Sequence, residues 1–145
     1  MASAKRTNLA ADAWGALLQA HAALVPVLDK QLQQTCGLPL TWYDVLLELN
    51  AAPDRRLTMT ELSDRVVLSR TRVSRLVDEL AAAGLVERVP NPSDGRSAFT
   101  ALTGLGRQRF QQAAPHYLAA IEEHFAAGLS NAELTSLASV LANVR

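Results

Sequence analysis

Cysteine is nearly absent from this 145-residue chain: Cys36 stands alone. That excludes an internal disulfide framework and fits a reducing compartment. Aromatic residues make up only 5%, and isoleucine occurs once, at Ile121, so the types that favour strands are scarce. No apolar run is long enough to cross a bilayer. The opening Met-Ala-Ser-Ala-Lys-Arg leads into Asn8–Asp12 rather than an apolar signal segment, so a soluble, cytoplasmic chain without a membrane partner is expected. Net charge is also lacking, with 14 basic and 14 acidic groups. What is present is alanine and leucine, together about a third of the residues, within 49% apolar and 19% charged types. Such a composition forms a core and favours a single, mostly helical domain.

The zero net charge conceals an uneven distribution. Between Arg55 and Arg109 there are ten arginines and six acids, while the rest of the chain holds four basic groups and eight acids. Twelve of the fourteen cations are arginine, the side chain suited to bidentate contact with phosphate or guanine. A basic middle between acidic ends marks a face turned toward a partner.

Apolar spacing predicts a long helix from about Asn8 to Thr35, carrying Leu17, Leu18, Leu24, Val25, Leu28 and Leu32, with a kink at Pro26. Cys36-Gly37-Leu38-Pro39 stops it. A helix of that length exceeds what so small a domain can pack, so its spare face is expected to meet a second subunit. A second helix opens at Thr41 and ends at Ala52, before Pro53 and Asp54. Thr58-Met59-Thr60-Glu61 is a capping box opening a short third helix that ends near Val66. A fourth has Ser69 as N-cap and Gly84 as its stop, with Val73, Leu76, Val77 and Leu80 on one face. Leu85–Val89 and Ala98–Leu102 then read as strands joined by the turn-rich Asn91-Pro92-Ser93-Asp94-Gly95-Arg96. Thr103 caps a helix running to about Ala127, bent or restarted near Pro115, and Ser130-Asn131-Ala132-Glu133 opens the last one.

The third and fourth helices, joined by Val67-Leu68, have the connection of a helix-turn-helix. If the apolar face of the fourth turns inward, Thr71, Ser74 and Arg75 face outward with Arg72 on the flank. Arg70, Arg72 and Arg75 thus crowd the positive end of the helix dipole, while Asp78 and Glu79 come later. A helix optimised for its own stability does the opposite. Cations at this end make sense when an anion lies in front of them. The hairpin that follows carries Arg88 on its leading strand and Arg96 at its tip, which completes a winged helix-turn-helix pattern. One element suits a major groove and the other the adjacent minor groove.

The chain resembles the multiple antibiotic resistance regulator (MarR) family. The resemblance lies in Leu57–Leu62, Leu68–Leu80, Gly84–Arg88, Asn91–Arg96 and Leu102–Arg107, and extends to the long first helix, to Leu40–Leu46 and to the two closing helices. It implies a mainly α fold with a small β wing: residues 41–103 form the winged helix-turn-helix, and residues 8–36 and 104–145 supply dimerisation helices. It also implies a homodimer that binds palindromic double-stranded DNA, in many cases as a ligand-released repressor. Ser69–Arg75 match the start of the family's recognition helix, and Asp94 and Arg96 match the aspartate-x-arginine signature of its wing. Asn91 stands where the usual tip begins with aspartate. On chemistry, Arg75 is expected to read guanine and Thr71 a thymine methyl, while Ser69, Arg70 and Arg72 set position through phosphates. Arg96 is expected to read minor-groove width, supported by Asp94.

The family's effector pocket lies between the dimer helices and the winged helix, and Trp14, His21, Trp42, Tyr43, Asp44 and Arg88 are the residues expected near a small aromatic or anionic ligand. Trp42 and Tyr43 read equally as hinge packing. Asp44 and Arg88 match an acid–base pair of the family's urate-responsive branch. Leu76 falls where that branch needs an arginine, so an ordinary Asp44–Arg88 salt bridge is favoured. Cys36 offers a redox-responsive alternative but has no second cysteine to resolve it. His116 and His124 are too far apart on a helix to chelate one ion, so neither metal nor cofactor is expected. No nucleophile elbow or phosphate-cradling glycine loop suggests an enzyme. The rival from another class is a winged helix used for protein–protein docking.

Overall fold

A computed structural model describes residues 1–66 and 68–145. Six α-helices run α1 Ala2–Cys36, α2 Leu40–Ala51, α3 Met59–Val66, α4 Arg70–Ala82, α5 Gly104–Ile121 and α6 Asn131–Ala142. There are also three strands, β1 Arg56–Thr58, β2 Val86–Pro90 and β3 Ala98–Leu102, with a 3-10 turn at Pro53–Arg55 and a π turn at Glu122–Ala126. The architecture is mainly helical, as the composition predicts, with a small antiparallel sheet in which β2 and β3 form the expected hairpin. Contacts divide the chain into two units, Leu32–His116 and a second made of Met1–Gln31 and Tyr117–Arg145.

The first unit has its core in Leu38, Val45, Leu46, Leu49, Leu62, Val73, Val77 and Leu80, all buried. From Val45 onward these positions lie on α2, α3 and α4, so three amphipathic faces close on one another. Tyr43 and Phe110 add a tilted ring pair at 5.3 Å. The sheet order is β1-β3-β2, with Leu57 opposite Thr100 and Arg88 opposite Thr100 on its other side. Thr58 closes β1 and opens α3: its Oγ1 accepts from the Glu61 amide at 3.3 Å, and Glu61 accepts from the Thr58 amide at 2.8 Å. The expected capping box is therefore formed.

Several expectations are corrected. β1 has no counterpart among the strands read from the sequence, because three residues next to a cap carry too little periodicity to register. α2 starts at Leu40 rather than Thr41: Pro39 occupies the cap without a side-chain hydrogen bond, and its carbonyl accepts from the Tyr43 amide at 3.0 Å. α1 begins at Ala2, well before Asn8, and runs through Pro26 as one element. β2 is shifted one residue beyond Leu85–Val89. The final long helix does not restart at Pro115; α geometry holds to Ile121 and gives way to a π turn at Glu122–Ala126. Pro115 is exposed, where water can serve the carbonyl its missing amide leaves open. The stop at Gly37, with φ 65°, is as read from the sequence.

In the second unit, Leu28, Ala120 and Ala126 are buried. Gln31 of α1 meets the π turn there: its Oε1 lies 2.5 Å from His124 Nε2, and its Nε2 donates to Glu123 at 3.4 Å. α6 opens with the Ser130–Glu133 capping box and buries none of its residues. Among the described residues no helix is long and apolar enough to cross a membrane.

Candidate nucleic-acid interface

The fourth helix shows how local sequence dictates a functional face. Ser69 caps it, its Oγ accepting from the Arg72 amide at 3.3 Å. Val73, Leu76, Val77 and Leu80 are buried. With 100° between successive residues, that burial turns Arg70, Thr71, Arg72 and Arg75 outward, and all four are exposed, with Ser74 half-buried beside them. Val67 of the Val67-Leu68 connection lies outside the described residues.

The wing is ordered by its own side chains. Asn91 Oδ1 accepts from the Ser93 amide at 3.0 Å, and Asn91 Nδ2 donates to Ser97 Oγ at 3.2 Å. Asp94 Oδ1 accepts from the backbone amide of Arg96 at 3.0 Å, which leaves the Arg96 guanidinium out of the turn. Here the aspartate restrains the arginine's backbone. Asn91, the departure from the family tip, does structural work that its amide, donating and accepting at once, performs in place of a carboxylate.

Helix and wing face each other across a cleft of about 640 Å³. Thr60, Arg70, Ser74, Asp94, Arg96 and Ser97 are among its lining residues. Arg70 donates to Thr60 Oγ1, which holds that guanidinium at the cleft edge. Among the described residues, none of Arg70, Arg72, Arg75 and Arg96 forms an ion pair with a carboxylate. Sequence reasoning missed Thr60 and Ser97. Nothing in their spacing signalled them, because each acts across a gap closed only by the tertiary fold.

The acids at the other end of α4 have partners elsewhere. Asp78 pairs with Arg88 of β2 at 2.5 Å, and Glu79 accepts from Trp42 Nε1 at 3.1 Å. The expected Asp44–Arg88 bridge is thus replaced: Arg88 pairs with Asp78 of α4. Asp44, partly buried on α2, has its carboxyl pushed up to about 6, first by desolvation and then by the charge of Glu48. Glu48 itself lies 3.9 Å from Arg65. Of the other residues expected near an effector, Tyr43 is buried in the core, and Trp14 and His21 are exposed on α1 in the second unit. Cys36 is half-buried and in no disulfide, and its backbone carbonyl accepts from the Arg109 guanidinium at 3.2 Å. Among the described residues, no group of three His, Cys, Asp or Glu side chains is placed to hold a metal ion.

Comparison with known proteins fits this arrangement. The MarR family model matches residues 37–97. A MarR family transcriptional regulator from Streptomyces coelicolor, Sco3205, solved in complex with DNA, is 33% identical with a TM-score of 0.85, covering 91% of this chain and 86% of that one. The chain belongs to the MarR family. A second MarR family regulator from the same organism, AbsC, is 31% identical with a TM-score of 0.83, covering 91% of this chain and 88% of its own. The HTH-type transcriptional repressor YetL of Bacillus subtilis is 33% identical over 85 residues, 59% of this chain and 51% of YetL, so the match spans about half of that relative. MarR proteins are transcriptional regulators and not enzymes. The three-stranded sheet and cleft-forming wing are therefore the winged helix of that family.

Proposed function

We propose that this MarR chain is a sequence-specific regulator that binds double-stranded DNA as a homodimer, represses from a palindromic operator and answers to a small aromatic or anionic effector. One observation carries the reading: Arg70 and Arg96 line the cleft, Arg72 and Arg75 are exposed on the same helix as Arg70, and none of the four has a carboxylate ion-pair partner among the described residues. Duplex phosphates supply the missing charge. In this reading α4 enters the major groove. Arg75 reads guanine and Thr71 a thymine methyl, and Ser69, Arg70, Arg72 and Ser74 fix position. Arg96 enters the minor groove on the wing that Asp94 shapes. The Sco3205–DNA complex supports duplex as the partner, and the name of YetL supports repression.

The homodimer is supported by α6, which carries Leu134, Leu137, Val140 and Leu141 yet buries none of them. A twofold partner would cover that face and set two recognition helices roughly 34 Å apart. Effector response is supported by the partners of α4. A ligand that engaged Trp42 or Arg88 would displace Glu79 or Asp78, and so would act directly on the recognition helix.

The test is duplex affinity measured by fluorescence anisotropy as salt rises from about 50 to 200 mM; counterion release makes it fall steeply for a DNA binder. Affinity that is weak and insensitive to salt would favour the protein-docking reading. That reading also calls for apolar side chains on the recognition face, where this chain has arginines and hydroxyls.

A further inference from the structure

We infer that Arg88 and Trp42 are positioning residues for Arg75: they occupy the two acids that would otherwise draw its guanidinium away from DNA. The inference rests on the proposed role of Arg75 in reading a base. Asp78 and Glu79 lie three and four residues after Arg75, the spacings at which side chains on one helix meet. An arginine followed by acids at both positions can fold back on them, a weak attraction at each. Here it does not, and among the described residues Arg75 has no ion pair. Asp78 is held at 2.5 Å by Arg88 from β2, and Glu79 at 3.1 Å by the indole N–H of Trp42 from α2. Each acid is thus held by a donor from a neighbouring element, while Arg75 stays exposed.

The arrangement also accounts for the acids themselves. Asp78 and Glu79 sit toward the helix C-terminus, where a negative charge opposes the dipole, and near a face that meets phosphates. Their partners supply a positive charge and a hydrogen-bond donor there. The Arg88–Asp78 pair is well exposed, with 46% and 62% of the two side chains accessible, so it adds little to stability and its loss leaves the fold standing. What it changes is the state of Arg75.

The experiment uses the full chain and a duplex selected by the wild type from a random-sequence pool, with a scrambled duplex as reference. Arg88→Gln frees Asp78, and Trp42→Phe frees Glu79 while keeping an aromatic ring. Each should lower affinity for the selected duplex relative to the scrambled one by about twofold, the size of one intrahelical pair, and the two together about fourfold. Removing the freed acid should rescue: Asp78→Asn restores Arg88→Gln, and Glu79→Gln restores Trp42→Phe. In an Arg75→Ala background neither freed acid should have any further effect on that ratio. Unchanged selectivity in Arg88→Gln and Trp42→Phe overturns the inference, as does a loss that Asp78→Asn and Glu79→Gln fail to restore. If the wild type selects no sequence at all, the base-reading role of Arg75 falls and this inference with it; if it selects one and the variants keep it, the inference alone falls.

Discussion

Gly106, in the first turn of α5, faces the carbonyl of Leu85 so closely that a Cβ built on it would stand 2.0 Å from that oxygen. The approach is held by Thr103, whose amide donates to the Leu85 carbonyl at 3.1 Å. Its hydroxyl donates to Gly84 O at 2.7 Å and accepts from the Gly106 amide at 3.0 Å. The start of α5 is thereby fixed to the entry of β2. Gly106→Ala should force these backbones apart and cost about 3 kcal/mol or more. Urea unfolding should show a lowered midpoint with an unchanged slope.

That contact illustrates what the sequence could and could not disclose. Thr103 was legible as a cap, because capping chemistry is local, and so were Ser69, Ser130 and the Thr58–Glu61 box. Gly106 read only as a residue opening a helix, since its partner lies 21 positions upstream and no periodicity links them. The basic face of α4 was legible for the same local reason: four buried apolar positions fix which side chains face outward. The partner of Arg88 was not. Asp44 was the acid expected to pair with Arg88, and only the tertiary packing of β2 against α4 brings Asp78 to it instead.

Arg96 and Arg75 should fail differently when removed. Arg96 lies on the wing and is proposed to read groove shape, so Arg96→Ala should weaken binding across many duplexes. Arg75 projects from α4, so Arg75→Ala should relax preference at one position of each half-site, at about 1–3 kcal/mol per contact. Gel-shift affinities across a series of substituted operators separate the two; equal losses by both variants on every duplex would contradict this division.

Asp44 gives the stability of the chain a pH dependence of unusual sign for a carboxylate. Its folded carboxyl is pushed up from 3.8 to about 6, so between those values the native state binds more protons than the unfolded chain. The contribution is full below pH 3.8 and is lost as pH rises through 6. Solvent reaches this half-buried group, which reduces the effect to roughly 1–2 kcal/mol. Asp44→Asn should remove that fall and leave the chain more stable than wild type at neutral pH. Urea midpoints of both proteins across pH 4–8 check it, the difference between the two curves isolating this group from the other acids.

Val140 tests the twofold partner. It is 60% exposed on α6, on a helix that buries nothing within the chain, and Leu137 lies one turn before it at 37%. A charge placed on an exposed position of a lone protomer changes stability little. The same charge at the apolar centre of an interface between two copies is desolvated and, by symmetry, set near its own like charge. Val140→Asp should therefore convert a species of twice the 15.6 kDa chain mass into one of single mass by light scattering, with helical content retained. Each winged helix then acts alone, and affinity for a palindromic duplex should drop toward that for a single half-site, because the second contact is no longer tethered to the first. A variant that stays dimeric would place the interface elsewhere than α6.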